Sequence, residues 1–204
     1  MKSANGYYVD GDLIVINRDL TKLDLFVKDF ISILKEHSDY LVVSGYVSIS
    51  TGRTRATEDV DILIPIMEKE RFKQLFNDLT KNNFWCYQSD NYEEAYTYLE
   101  DFSNIRFAKK NEIFPNIEFV PIDKKRKSKS FEFNHPQKIK IKDFEFNIPP
   151  LEFEIIYKEI ILAGDKDILD AKHLRSFFEK ILKEEKFKEY KLIIEGDENV
   201  RNNN

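Results

Sequence analysis

The sequence predicts a sheet-containing domain of α+β or α/β type followed by a small helical unit. Three observations lead there. Short apolar runs of strand length alternate with helix-period segments up to about residue 148, and only helix-period segments follow Pro149 and Pro150. The third is content: 42% of the 204 residues are apolar, with 17 Phe and 10 Tyr, enough to fill a core. The proline pair divides the chain into residues 1–148 and a helical region, residues 149–204.

Residues 13–16 (Leu-Ile-Val-Ile) form a strand-length apolar run, and Gly11 marks the turn before it. Residues 21–37 read as a helix, because Leu23, Phe26, Val27, Phe30, Ile33 and Leu34 recur three and four apart. Residues 40–44 form a short strand ending at Ser44-Gly45, followed by a short helical turn over 46–51 and a polar loop over 51–58. A strand over 59–64 stops at Pro65, and a helix over 68–81 carries Phe72, Leu75, Phe76 and Leu79. Residues 84–87, 104–109 and 117–122 read as strands, whereas 92–100 fits helix and strand alike. Residues 124–129 are basic with no apolar pattern and read as a loop. Residues 138–148 read as a hairpin turning at Lys142 and Asp143. A helix over 151–163 is expected to end with Gly164 as its C-terminal cap, and 165–186 to continue as helix with at most one break. The tail from Gly196 to Asn204 is expected to fray.

Composition excludes several function classes. Thirty-two Lys and Arg against 37 Asp and Glu give a net charge of −5, which rules out a generally basic nucleic-acid coat. No apolar run reaches membrane-span length and the polar start lacks a signal-peptide core, so the expectation is a soluble cytoplasmic protein without membrane partners. The single cysteine, Cys86, excludes an internal disulfide and a multi-cysteine zinc site, and reads as an inert buried thiol. His37, His135 and His173 are too dispersed to suggest zinc, and Trp85 reads as core.

The chemistry concentrates around Asp59 and Asp61. Alternation along a strand points both carboxylates to one face, while Val60, Ile62 and Ile64 point into a core. Two acids on one face repel unless a cation lies between them, and hard oxygen ligands suit Mg²⁺ held together with substrate phosphates. Two solvated acids on an exposed face are the plain alternative. Glu118 alternates with Ile117 and Phe119 on another strand; beside the Asp59 strand it would complete a three-carboxylate cluster. Ser44-Gly45 ends a strand and opens a short helix, a backbone arrangement that suits a phosphate. Between these lies a loop with Arg53, Thr54, Arg55 and Thr57, whose arginines suit a polyphosphate or simply solvent.

Taken in order, Ser44-Gly45, Gly52-Arg53-x-Arg55-x-Thr57 and Asp59-x-Asp61 resemble the nucleotidyltransferase superfamily, and within it the small prokaryotic nucleotidyltransferase-like proteins that include type IV toxin–antitoxin toxins. Ser44 stands where that group usually has glycine. Lys158, followed by Lys166, Asp167, Asp170 and Leu174, matches a C-terminal pattern of the same group. The resemblance implies an α+β fold, a small mixed sheet flanked by helices with a helical C-terminal region closing a cleft. It implies an NTP with its phosphates near Ser44, Gly45, Arg53, Arg55 and Thr57, and Lys158 as a further triphosphate contact. Asp59, Asp61 and Glu118 would be both the catalytic carboxylates and the ligands of two Mg²⁺ ions. The implied reaction moves a nucleoside monophosphate to a hydroxyl of RNA, such as transfer RNA, or of protein, with an antitoxin as a further partner. A non-catalytic nucleotide- or RNA-binding module on the same fold is the alternative. Asp167 and Asp170 share a helix face; capping or pairing with Lys166 or Arg55 is the plain alternative to a role in the site, and the sequence leaves their roles open.

Overall fold

A computed structural model describes residues 6–122 and 126–201. The elements run β1 (Tyr7–Asp10), β2 (Leu13–Ile16), α1 (Lys22–Leu34), β3 (Leu41–Val42), α2 (Gly45–Ser50), β4 (Asp59–Ile64), α3 (Lys69–Lys81), β5 (Phe84–Cys86), α4 (Tyr92–Glu100), β6 (Ile105–Lys109), β7 (Asn116–Pro121), α5 (Lys127–Asn134), β8 (Gln137–Ile141), β9 (Phe144–Ile148), α6 (Leu151–Tyr157), α7 (Asp165–Phe177) and α8 (Glu184–Arg201). They form an α+β fold with two mixed sheets, ordered β3-β4-β7-β6-β5 and β1-β2-β8-β9. In each, one parallel pair (β4 with β7, β2 with β8) is flanked by antiparallel neighbours.

One face of the five-stranded sheet is covered by α1. Its first turn is fixed by a reciprocal cap: Thr21 Oγ1 accepts from the Asp24 N–H and the Asp24 carboxylate accepts from the Thr21 N–H. Burial pushes the Asp24 carboxyl up, but hydrogen bonds from Arg18, Tyr46 and Thr21 outweigh it and hold the group below its usual range. Tyr46 of α2 donates to Asp24 at 2.6 Å, so this one carboxylate ties α1 to α2. Below it, Phe30 packs among Phe84, Phe107 and Phe119 at ring-centroid distances of 5.1, 5.8 and 5.5 Å. Val60, Ile62 and Ile64 are fully buried against this core. That burial fixes the register of β4, because a one-residue slip would bury the acids instead.

The C-terminal helices share the core of the sheets: Leu151, Ile155, Leu174 and Phe178 pack in the same cluster as the strand residues. A second cluster of Phe153, Ile156, Tyr190 and Ile194 joins α6 to α8. Among the described residues no helix is long and apolar enough to cross a membrane.

Several elements differ from the sequence expectation. Lys124 and Lys125 lie outside the described residues, but 127–129 open a helix, α5, rather than a loop. Its N-terminus is secured from a distance: the N–H groups of Lys127 and Ser128 donate to the Asp197 carboxylate at 3.1 and 2.6 Å. Lys129 is turned inward, 2.7 Å from the buried Glu132 and over the Tyr157 ring. Helix α6 ends at Tyr157 and continues as a widened turn over Lys158–Leu162, closed by Ala163 N–H donating to Lys158 O. Ala163, not Gly164, takes the left-handed conformation (φ 48°), and Gly164 is the N-cap of α7. A side chain at Gly164 would begin 3.1 Å from Asp167 Oδ2. The tail from Gly196 is helical to Arg201, since Tyr190 and Ile194 are buried and Asp197 is engaged; residues 202–204 lie outside the described residues. The ambiguous 92–100 segment is helix α4. Strand β1, absent from the sequence reading, is anchored by buried Tyr7 against Phe177 and Phe178.

Candidate active site

The parallel register of β4 and β7 sets Asp61 directly opposite Glu118, with Asp59 two residues earlier on the same face. Ligand oxygens of the three carboxylates all lie within 4.8 Å of one another, and all three residues are half-buried. Strand β6 pairs Arg106 with Glu118, and Arg106 Nη2 reaches Glu118 Oε1 at 2.7 Å. The sequence reading missed Arg106, although its alternation with buried Ile105 and Phe107 places it on a polar face.

The cluster is short of positive charge. Burial first, then the Asp59 charge and the hydrogen bond and charge of Glu118, push the Asp61 carboxyl up to about 7 from an ordinary 3.8. A hydrogen bond from the Ser44 side chain opposes the rise. Ser44 has φ 60° and ψ −135°, a region glycine enters far more readily, and its strain is of order 1–3 kcal/mol. Placing a hydroxyl on Asp61 is what that conformation achieves here.

The next residue belongs to a second group. A side chain on Gly45 would start 2.9 Å from Arg55 Nη2, so glycine lets the Arg55 guanidinium lie against the start of α2. Arg55 Nη1 donates to Asp170 Oδ2 at 2.5 Å, Arg53 Nε donates to Asp170 Oδ1, and Lys158 Nζ lies 3.4 Å from Asp170 Oδ2 and 3.2 Å from Glu154 Oε1. Asp170, Glu154 and Lys158 are buried. Lys158 is therefore an interior residue held by two acids, not a snorkelling surface side chain. Thr57 Oγ1 donates to the Asp59 carbonyl at 2.8 Å and so shapes the entry to β4. Thr51 meets His173 Nε2 at 2.9 Å, a second tie between this loop and α7; burial and then the Arg53 charge lower the His173 basicity. Of the remaining C-terminal pattern, Lys166 is exposed and Leu174 is buried in the core.

The sequence-predicted residues thus fall into two adjoining groups. Asp59, Asp61 and Glu118 cluster on the sheet, with Ser44 on Asp61. Gly45, Arg53, Arg55 and Lys158 gather around Asp170. The first group fits a hard divalent cation by its donor set, three carboxylates within 4.8 Å of one another, and Asp61 is raised by burial and then by the neighbouring Asp59 and Glu118. Elsewhere, Cys86 is a buried free thiol whose ionisation burial disfavours. Trp85 is half-buried and stacks on Tyr87 at 4.7 Å.

No protein-family model and no curated sequence matches this chain. Among solved structures it is similar to the lincomycin-bound lincosamide antibiotic adenylyltransferase LnuA, at 15% identity and a TM-score of 0.50, over 78% of this chain and 99% of that one. An antigenic nucleotidyltransferase-like protein from Paracoccidioides brasiliensis also aligns, at 15% identity and a TM-score of 0.47, over 78% of each chain. With its sheet order and flanking helices, the chain has the nucleotidyltransferase fold.

Proposed function

We propose that the protein is a divalent-metal-dependent nucleotidyltransferase that moves a nucleoside monophosphate from an NTP to a hydroxyl acceptor. The observation that carries this is the register of β4 and β7, which converges Asp59, Asp61 and Glu118 on one sheet face of a nucleotidyltransferase fold. These three carboxylates would hold Mg²⁺, two ions in the full site. Bound there, the metal supplies charge neutralisation to the phosphates and to the transferring group.

The rest is work for the chain. Arg53 and Arg55 bring positive charge toward the triphosphate, and Gly45 lets the backbone come close; Lys158, fully buried between Glu154 and Asp170, is not placed for the triphosphate contact the resemblance implies. Thr57 fixes the strand entry that aims Asp59. The acceptor oxygen attacks the α-phosphorus in line, its new P–O bond forming as the bond to pyrophosphate breaks. The acceptor's proton passes to the Glu118 carboxylate. The acceptor in this reading is a macromolecular hydroxyl, of RNA or protein, and the enzyme is of toxin type with an antitoxin as counterpart. A small hydroxylated acceptor is a second reading. A cavity of about 640 Å³ opens beside Arg55 and Thr57, walled by Leu23, Phe26, Phe114 and Pro115, and a structurally similar protein is an adenylyltransferase with lincomycin bound.

Incubation with each α-labelled NTP, Mg²⁺, total RNA, cell protein and a panel of hydroxylated small molecules tests the reading. Label should move to one acceptor class in the wild type and fall at least about 100-fold in Asp61→Ala. Label transfer that survives in Asp61→Ala would reject the site. No transfer with NTP still raising the melting temperature would favour the non-catalytic binding module.

A further inference from the structure

The sequence offers Asp170 only as part of the C-terminal pattern and as a capping or pairing partner of Lys166 or Arg55, yet it is the residue on which the cationic half of the site converges. Its side chain is fully buried on α7. One oxygen accepts from Arg53 Nε, and the other accepts from Arg55 Nη1 at 2.5 Å and faces Lys158 Nζ at 3.4 Å. The two arginines belong to the loop before β4, more than a hundred residues away. Three cationic side chains here face two acids, Asp170 and Glu154, so one positive charge is in surplus. The surplus sits at the loop end, because Lys158 is enclosed between the acids while Arg53 and Arg55 are partly exposed.

Each guanidinium commits one N–H to Asp170; Arg55 Nε is buried without a partner, which leaves the Nη groups as the donors open to a ligand. A planar fork anchored at one corner presents its remaining donors in a fixed direction. Arg55 Nη2, against Gly45, is aimed at the start of α2, one residue from the Ser44 that touches Asp61. A free arginine would lose much side-chain entropy on grasping an anion; an anchored one has already lost it.

We infer that Asp170 is a positioning residue for polyphosphate: it holds Arg53 and Arg55 in one orientation so that their unused donors receive the triphosphate. This rests on the nucleotidyltransferase reading and deepens it, by assigning the anion-facing geometry of the loop to a residue on a different part of the fold. It also opposes the simple electrostatic expectation, in which removal of a negative charge near a phosphate site tightens binding.

The test is equilibrium binding of inorganic tripolyphosphate to the full chain in metal-free buffer, which needs no catalysis, followed by KM and kcat for the NTP. In Asp170→Asn the tripolyphosphate Kd and the NTP KM should each rise about tenfold, with kcat at saturating NTP changed by less than about threefold. A double-mutant cycle with Arg53→Gln separates positioning from structure. If Asp170 acts through Arg53, the double variant binds no worse than the weaker single variant; additive losses overturn the inference. Leu174→Ala, one turn further along α7 and equally buried, controls for lost stability and should leave Kd within about twofold. Should Asp170→Asn fail to fold, Asp170→Glu keeps the charge and moves the oxygens by one methylene, and the same rise in Kd is expected. A Kd that is unchanged or lower in the Asp170 variant overturns the inference while leaving nucleotidyl transfer standing. Wild-type protein that binds no tripolyphosphate with or without Mg²⁺ overturns the inference, and the labelled-NTP transfer assay with Asp61→Ala decides the nucleotidyltransferase reading separately.

Discussion

The two halves of the candidate site are built in opposite ways. On the sheet, three carboxylates are drawn together by strand register alone, and a hydroxyl and Arg106 of the neighbouring strand β6 are the partners they have. At the loop, cations are gathered around buried acids from the C-terminal helices. The first half is an unsatisfied negative cluster and the second a nearly satisfied positive one. Ser44 touches one and Gly45 the other. Adjacent residues therefore join a site short of cations to one with a cation in surplus, which is what a metal-bound polyphosphate needs at its two ends. The difference also separates function from stability, because removing charge should relieve the first half and damage the second.

The sharpest way to break this comparison is Asp170→Ala. It leaves three cations around one buried acid and should cost about 3–5 kcal/mol in denaturant unfolding. Asp61→Ala should do the reverse: stability in metal-free buffer at pH 8 should be equal or higher, while transfer measured with Mg²⁺ falls at least about 100-fold. Equal destabilisation by both would erase the distinction.

A pH series sharpens the comparison further. The Asp61 carboxyl is raised in the folded state, to about 7 from 3.8, so the folded protein binds more protons than the unfolded chain between those values. This group's contribution to stability therefore declines as pH rises from about 4 to 7. Mg²⁺ should raise the melting temperature more at pH 8 than at pH 5, and Asp61→Asn should flatten that difference. A Mg²⁺ effect independent of pH would argue against metal at this cluster.

Smaller effects are expected where the halves meet. Gly45→Ala would place a methyl 2.9 Å from Arg55 Nη2, which has to shift, and should weaken NTP binding several-fold for a stability cost of about 1 kcal/mol or less. Ser44→Gly relieves a left-handed backbone and should stabilise by roughly 0.5–1 kcal/mol in a melt while losing the hydroxyl on Asp61.

How much of this was legible in the sequence follows the range of the interactions. The Asp59-Val60-Asp61 alternation and the polar face of Glu118 are local, and the structure adds only that the two strands are neighbours. Helix α1 carried its own cap in Thr21 and Asp24. Helix α5 did not: its N-terminus is held by Asp197 and its lysine is neutralised from within the fold, so its residues read as a loop. Strand β1 depends on Phe177 and Phe178, and the left-handed residue after α6 moved from Gly164 to Ala163 because the preceding turn widens. In the site, the pairing of Asp170 with Arg55 was open to the sequence, but Arg106 and the joining of Arg53 and Lys158 to the same carboxylate were not, for the same reason. Strand pairing and long-range ion pairs leave no spacing signal in the chain.

The most direct test of the account is whether the two halves act on one ligand. Thermal melting of the wild type would be compared with Mg²⁺ alone, a non-hydrolysable NTP analogue alone, and both together. The two together should raise the melting temperature by several degrees more than the sum of the separate shifts, since cation and anion would bind side by side. Additive shifts, or none with the pair, would contradict it.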